Sequence, residues 1–241
     1  MDILFEVTAL SWFLINPRQG HLDQAYCIFA YLKSKLNGWM VFDPTYVDVD
    51  YSRFKQMDWT TFYSNAKEET DPNDPKPYGK SVRLMCFVDA DHAGNKITWR
   101  SYTGVIILMN NALILWICKR QSTIETSTFG SEFLALRAAT ESIIGLRYRL
   151  RAMGVPINGP CSIFCDNNSV VISSTVPESR LKKKHNALAY HKVCEAIAAG
   201  ITQVAHVCSG ENLADLFTKS LVAAKRKNLL YGSMMITGLH E

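Results

Sequence analysis

The spacing of apolar residues predicts two helices and a short strand at the start of the chain. Residues 2–15 and 21–36 repeat apolar positions with helical periodicity, and the turn-forming stretches NPRQG and Asn37-Gly38 end them. The stretch WMVFDP that follows has the apolar, β-prone composition of a strand.

A polar segment separates this start from the rest of the chain. The stretch AKEETDPNDPKPYGK is acidic, rich in proline and poor in large apolar side chains, so it lacks the composition of a packed element. We therefore predict three parts: a small, mostly helical segment at 1–63, a linker at 64–80 and a larger domain at 81–241.

From residue 81 the pattern predicts a mixed sheet. Three strand patterns are separated by short connections only, which indicates antiparallel neighbours: SVRLMCFVDA, SYTGVIILMN and ALILWICKRQ. A long helix at about 128–153 follows, and strands CSIFCD and ITQVAHV then alternate with helices at 168–175, about 182–199 and from near Glu211. This order predicts an α/β fold with a five-stranded mixed sheet, three antiparallel strands and then two parallel ones, flanked by helices.

The charge of the chain is unevenly distributed. The net charge is +4, but residues 1–80 carry 8 Lys and Arg against 11 Asp and Glu, whereas residues 81–241 carry 18 against 11. A basic domain suits an anionic partner, and nucleic acid is the usual one.

The cysteines and the apolar runs exclude several other classes of protein. The seven cysteines are odd in number, form no C-x-x-C motif and lie mostly in apolar runs, so we expect reduced, packed thiols. His185, His191 and Cys194 lack a second ligand pair at zinc-site spacing. No apolar run is long enough to span a membrane, and the start, with Asp2 and Glu6, lacks the features of a signal peptide.

Four acidic residues stand where apolar elements begin or end. Asp89 and Asp166 each follow an apolar strand. Glu132 lies four residues before Leu136, on the buried stripe of the long helix, and Asp215 lies at the predicted start of the last helix. Each position also has an ordinary explanation, because Glu132 and Asp215 could complement helix dipoles and Asp166 could cap a helix.

Taken together, the four acids suggest a metal site. Clustered carboxylates repel one another unless they are protonated or bridged by cations, and their hard oxygen atoms suit Mg²⁺ or Mn²⁺. An acidic cluster in a basic domain favours a metal-dependent reaction on a phosphodiester.

Several segments resemble the ribonuclease H domain of copia-type (Pseudoviridae) retrotransposon polyproteins. The resemblance is carried, in order, by FVDADHAG, TSTFGSEF, IFCDNNSVV and ENLADLFTKSL. The stretch NPRQGHLDQAYCIFAYLK resembles the C-terminal end of the reverse transcriptase that precedes this domain. The resemblance implies a ribonuclease H-like fold and makes residues 1–63 a remnant of the reverse transcriptase.

The resemblance also implies an activity: cleavage of the RNA strand of an RNA–DNA hybrid by a two-metal-ion hydrolase. The implied catalytic and metal-binding residues are Asp89, Glu132, Asp166 and Asp215, with two Mg²⁺ ions, or Mn²⁺, as cofactor. Asp89 would be shared by both ions, Glu132 would help recognise a 2′-hydroxyl, Asp166 would lie on the side of the attacking water and Asp215 would complete the other site. The implied partners are the hybrid and the remainder of the polyprotein, and the implied location is intracellular: cytoplasm, virus-like particles or nucleus.

Other residues have weaker claims to a role. Basic side chains that could contact phosphates are Arg100, Lys119, Arg120, Lys182, Lys183 and Lys184, although the run SRLKKKH equally suits a solvated helix start. We interpret Asp91 as a turn residue with Ala93-Gly94, or else as a support for the metal ligands. His206 belongs to a strand, before the loop on which some ribonucleases H carry a histidine, so we expect no equivalent role for it.

Three hypotheses follow from these patterns. The first is an active ribonuclease H without polymerase activity, because TYVDVDYS lacks the adjacent acid pair of a polymerase and too little chain precedes it. The second is a catalytically silent remnant that binds nucleic acid, which would show binding without turnover. The third is a fragment that does not fold alone, which would lack a cooperative melt.

Overall fold

The computed structural model describes residues 2–35, 38–46, 48–179, 186–231 and 235–237. Helices within these ranges are α1 (Leu4–Ser11), α2 (Gln19–Ser34), α3 (Thr60–Tyr63), α4 (Thr128–Ala152), α5 (Asn168–Thr175), α6 (Ala187–Ala198) and α7 (Ala223–Tyr231), with 3-10 helices at Tyr51–Arg53 and Leu213–Phe217. Strands are β1 (Gly38–Met40), β2 (Leu84–Asp91), β3 (Tyr102–Met109), β4 (Ala112–Arg120), β5 (Cys161–Cys165), β6 (Thr202–His206) and β7 (Met235–Thr237).

Five strands form one mixed sheet in the order β4-β3-β2-β5-β6. β2 pairs antiparallel with β3, which pairs antiparallel with β4. β2 pairs parallel with β5, and β5 pairs parallel with β6. The predicted five-stranded mixed sheet and the ribonuclease H-like fold class are therefore confirmed.

The long helices cover one face of this sheet. The stripe predicted on α4 is buried at Leu136, Ala139, Ile143 and Leu150, where it joins alternate β2 residues such as Val88 in one apolar core. Successive side chains of a strand point to opposite faces of the sheet, so the residues on either side of Val88 face away from this core.

The second face of the sheet carries the C-terminal elements and part of the N-terminal segment. The 3-10 helix Leu213–Phe217 and α7 pack there against β3 and β4, in a cluster that Leu4 and Met40 also touch. Nearby, Phe54 packs edge to face on Phe164 of β5. The division into three parts stays a prediction, but the N-terminal segment contacts the sheet directly.

Several element boundaries differ from those predicted. α1 ends at Ser11 rather than at residue 15. The helix expected from near Glu211 is instead two elements, the 3-10 helix Leu213–Phe217 and α7. Asn212 caps the 3-10 helix and accepts a hydrogen bond from the Ala214 N–H at 3.1 Å, and the apolar side chains of this short helix pack against β3. The pairing of β1 with β7 had no local signal, since about two hundred residues separate the two strands.

Some predictions fall where the structure gives no description. The predicted end of the second helix, Leu36 and Asn37, lies outside the described residues, as does the start of the helix predicted at 182–199. Across the parts of the chain that the structure describes, no helix is both long enough and apolar enough to cross a membrane.

Candidate active site

Asp89 lies in β2, two residues before the end of the strand, and is fully buried. On the chain it stands between Val88 and Ala90, which face the helical core, so its own side chain faces the 3-10 helix Leu213–Phe217. Asn212 fastens this helix to β2, because its Nδ2 donates a hydrogen bond to the Val88 carbonyl oxygen at 2.9 Å. The carboxylate of Asp215 is thereby brought beside that of Asp89.

A glycine in β3 allows this close approach. Gly104 pairs with Asp89 across the two strands. A Cβ at Gly104 would lie 2.7 Å from the carbonyl oxygen of Ala214 and 2.8 Å from Cγ2 of Thr218. Any side chain here would push the 3-10 helix off the sheet, and a lone glycine inside a predicted strand is the signal that could have indicated it.

Glu132 reaches the same strand from the helical face. Ser127 caps α4, and its Oγ accepts a hydrogen bond from the Gly130 N–H at 3.2 Å. Glu132 lies in the second turn of α4 and is buried. Its Oε2 accepts a hydrogen bond from the Ala90 N–H at 3.1 Å. Its carboxylate therefore contacts the end of β2 in addition to lying near a helix N-terminus.

Asp166 connects the two sides of the cluster. It follows β5, and the helix cap expected of it is instead supplied by Asn167, whose Oδ1 accepts from the Ser169 and Val170 N–H groups. The alternative of Asp166 as an N-cap is therefore wrong, and its half-buried carboxylate is left to face the site.

The four predicted acids come together around Asp166. Ligand atoms of Asp89, Asp166 and Asp215 all lie within 4.8 Å of one another. The same limit holds for Glu132, Asp166 and the sulfur of Cys165, a buried neighbour that sequence reasoning did not single out. Four carboxylates from four separate elements thus share one end of the sheet.

Two lysines that sequence reasoning missed balance part of this charge. Lys219 Nζ lies 2.7 Å from Asp215 Oδ1 and 3.2 Å from Asp89 Oδ2. Lys225 Nζ lies 2.5 Å from Asp215 Oδ2 and also donates to the Ser209 carbonyl oxygen. Burial opposes the ionisation of Asp215, but the two lysines outweigh it and lower the pKa of this carboxyl. The spacing of Asp215 and Lys219, four residues apart in LADLFTK, was the available signal.

The other two buried acids are short of positive charge. Burial raises the pKa of Asp89 to about 6, against the attraction of Lys219. Burial, reinforced by the charges of Asp89 and Asp166, raises the pKa of Glu132 to about 9. Buried carboxyls whose pKa values are raised by burial and by one another are typical of functional sites.

The donor set fits a hard divalent cation. Four carboxylates face two ammonium groups, which leaves an excess of negative charge in a partly buried place. Carboxylate oxygens are the ligands that Mg²⁺ and Mn²⁺ prefer, and the half-buried Asp166 leaves a route from solvent.

Two neighbouring residues have structural contacts. Asp91 ends β2 and its Oδ1 accepts a hydrogen bond from the Tyr102 N–H at 2.5 Å, so it ties β2 to the start of β3. Burial raises the pKa of Asp91 to about 7. His206 ends β6, and its Nε2 lies 3.1 Å from the carbonyl oxygen of Asp166, on the outer side of the cluster.

The basic side chains predicted to contact phosphates differ in their exposure to solvent. Lys119 is exposed and lines, with Arg137, a cavity of about 560 Å³ beside α4. Arg120 lines the same cavity and places its guanidinium over the ring of Trp12, 3.2 Å from the centroid, and Arg100 is half-buried. The remaining candidates, Lys182, Lys183 and Lys184, lie outside the described residues.

Comparison with known proteins relates the chain to transposon polyproteins. It is 28% identical over 220 residues to the retrovirus-related Pol polyprotein from transposon RE1 of Arabidopsis thaliana, which covers 91% of this chain and 13% of the polyprotein. It is 23% identical over 218 residues to the corresponding polyprotein from transposon TNT 1-94 of Nicotiana tabacum, covering 90% of this chain and 14% of the polyprotein. No protein-family model matches the chain.

Among solved structures, the N-terminal RNase H domain of Rv2228c from Mycobacterium tuberculosis aligns with a TM-score of 0.45 and 13% identity, over 61% of this chain and 99% of that one. LC11-RNase H1 in complex with RNA/DNA hybrid aligns with a TM-score of 0.46 and 15% identity, over 56% of this chain and 94% of that one.

The copia-type resemblance is confirmed by the polyprotein relatives, which match nearly the whole chain. The chain is similar in sequence to retrovirus-related Pol polyproteins of transposons, and its sheet has the strand order expected of a ribonuclease H-like fold. It spans only about an eighth of the length of these polyproteins.

Proposed function

We propose that this protein is a metal-dependent ribonuclease H that cleaves the RNA strand of an RNA–DNA hybrid. The observation that carries the proposal is the convergence of Asp89, Glu132, Asp166 and Asp215, from four elements, at one end of the sheet. The order of the motifs that contain these acids, which resembles that of copia-type ribonuclease H, supports the same conclusion.

The four acids would hold two Mg²⁺ ions, with Mn²⁺ as an alternative. When bound, such ions supply a deprotonated water as nucleophile and stabilise the leaving oxygen of a phosphodiester. The residues of this chain hold the ligand oxygens in position. Asp89 accepts a hydrogen bond from Thr218, and Asn212 fixes the turn that carries Asp215.

Substrate access is proposed on the side of Asp166. Asp166 is half-buried whereas Asp89 and Asp215 are fully buried, so a phosphodiester would approach the cluster past Asp166. Glu132 lies on the helical side, where we propose that it helps to recognise a 2′-hydroxyl. Exposed Lys119 and the overall positive charge of residues 81–241 would attract the hybrid backbone.

The N-terminal part of the chain fits the same proposal. We propose that residues 1–63 are the remnant of a reverse transcriptase and that residues 64–80 connect it to the ribonuclease H domain. The relatives are polyproteins, so a larger polyprotein is the proposed context of this domain.

A cleavage assay on an end-labelled hybrid tests the proposal. The protein with Mg²⁺ or Mn²⁺ should cut the RNA strand, EDTA should stop it, and Asp89→Asn and Asp166→Asn should each reduce the rate by at least about 10³-fold, the order expected for loss of a principal catalytic group. Glu141→Gln, in an exposed pair with Arg137, is the matched control and should cut normally.

The alternative function, a silent remnant that only binds nucleic acid, predicts a different outcome. The folded protein would then bind the hybrid with an affinity that falls with salt, would leave the RNA intact in either metal, and would bind equally well after Asp89→Asn. That combination would overturn the proposed activity.

A further inference from the structure

Lys219 contacts two acids of the cluster, Asp89 and Asp215. Its Nζ lies 2.7 Å from Asp215 Oδ1 and 3.2 and 3.3 Å from the two oxygens of Asp89. Lys225 contacts Asp215 alone among the acids of the cluster. Of the described residues, Lys219 is the one whose ammonium group bridges carboxylates from two elements of the site.

The position of this ammonium conflicts with that of a metal ion. A Mg²⁺ ion held by Asp89 and Asp215 would have their oxygens at about 2.0–2.1 Å and would therefore lie between the same two carboxylates. Two cations so close together repel strongly in a partly buried place. The ammonium of Lys219 and such an ion cannot both be held there.

The side chain of Lys219 can move into solvent, whereas those of Asp89 and Asp215 are buried. Its side chain is 40% exposed, but those of Asp89 and Asp215 are exposed by 0% and 1%. A lysine has a flexible four-carbon stem that can place its charge in solvent. Asp89 keeps its contact with buried Thr218 when Lys219 moves, so the ligand stays in position.

We propose that Lys219 is the counter-ion of the metal-free site, which holds the acids together until a divalent cation displaces it. This inference rests on the proposed function, since it concerns the same metal site. It assigns Lys219 two effects: it stabilises the metal-free protein, and it lowers the affinity of the site for metal, because each binding event must break its ion pairs.

Metal binding by Lys219→Met and Lys225→Met tests the proposal. Both variants remove one ammonium group and keep most of the length of the side chain. We expect Lys219→Met to lower the Tm in EDTA, to bind Mn²⁺ about tenfold more tightly by calorimetry, equivalent to about 1.4 kcal/mol, and to show a larger rise in Tm on adding Mn²⁺. Lys225→Met should change each quantity less, because it leaves the bridge to Asp89 intact.

The outcomes separate the two proposals. If the wild-type protein binds no Mn²⁺, the proposed function fails. If the wild type binds Mn²⁺ but Lys219→Met binds it equally or more weakly, the counter-ion role of Lys219 is overturned and the metal site stands. Should Lys219→Met fail to fold, Lys219→Gln, neutral but polar, replaces it in the same measurement.

Discussion

The two ends of helix α4 lie in charge clusters of opposite character. Near its start, Glu132 joins three other acids that two lysines only partly balance. Near its end, Arg147 and Arg151 both bind Glu68, which we call the arginine clamp. Both clusters are largely buried, and both involve residues that a composition-based prediction would place in solvent.

The carboxylate of the arginine clamp is paired by the protein itself. Arg147 donates to both oxygens of Glu68 at 2.7 Å and to the Gly159 carbonyl oxygen at 2.8 Å. Burial disfavours the charge of Glu68, but the two arginines outweigh it and lower its pKa. The pKa of Glu132 moves in the opposite direction. A buried charge that finds its partners within the chain indicates structure, whereas one left short of partners indicates a site for an external cation.

The largest expected difference between the clusters concerns Glu68. Glu68→Gln should lower the free energy of unfolding by about 3 kcal/mol, since it leaves Arg147 buried without its carboxylate partner. Urea unfolding at pH 7 measures this. Glu141→Gln, in an exposed pair with Arg137, is the control and should cost about 0.3–0.5 kcal/mol. Equal losses in the two variants would mean that the arginine clamp does not stabilise the fold.

Gly104 provides a test of the acidic end. Gly104→Ala should destabilise the protein by about 2 kcal/mol and weaken Mn²⁺ binding, because the added Cβ meets the backbone of Ala214. Gly145→Ala is the control: it has open space around its Cβ position and lies inside α4, where alanine favours the helix by about 1 kcal/mol. Stability changes of the same sign in both variants would contradict the close approach at Gly104.

The same substitution should have opposite effects at the two ends. Glu132→Gln should leave the metal-free protein as stable as the wild type or raise its free energy of unfolding by about 1 kcal/mol at pH 8. Burial and the neighbouring acids raise the pKa of Glu132 to about 9, so the wild type must take up a proton to fold at this pH, whereas glutamine is already neutral. Glu68→Gln should destabilise under the same conditions. A loss of stability in both variants, measured in EDTA, would mean that the acidic end is satisfied after all.

The smallest expected effect is the loss of folding stability at low pH. Because the pKa of Glu68 is lower in the folded than in the unfolded protein, its contribution to stability is present above an unfolded pKa near 4.3 and is lost as the pH falls through the folded value. The wild type should therefore lose up to about 0.6 kcal/mol more than Glu68→Gln between pH 7 and pH 4. Parallel pH profiles of the two proteins would argue against the clamp.

The sheet and the four acids could be predicted because their signals are local. Strand patterns fix which residues end a strand, and the ends of β2 and β5 meet because the two strands are parallel neighbours. Helical periodicity placed Glu132 on the buried side of α4. Element order made the convergence of the acids possible, and the resemblance to copia-type ribonuclease H assigned them to one site. The structure brings all four to the same end of the sheet.

The partners of these charges could not be predicted in the same way. Lys225 reaches Asp215 because the predicted last helix is broken after Phe217, and that break depends on packing against β3. Glu68 stands in a stretch whose composition indicates an exposed linker, yet it bonds to arginines about eighty residues later. Composition reports how polar a segment is, but tertiary contacts decide which of its charges is buried.

Calorimetric titration of the folded protein with Mn²⁺ asks directly whether the four acids form a divalent metal site. Such a site should bind Mn²⁺ saturably in the wild type and in Glu141→Gln, and binding should be lost in Asp89→Asn, whose side chain lies buried within the cluster. The absence of binding to the wild type, or binding that persists unchanged in Asp89→Asn, would contradict the proposed metal site.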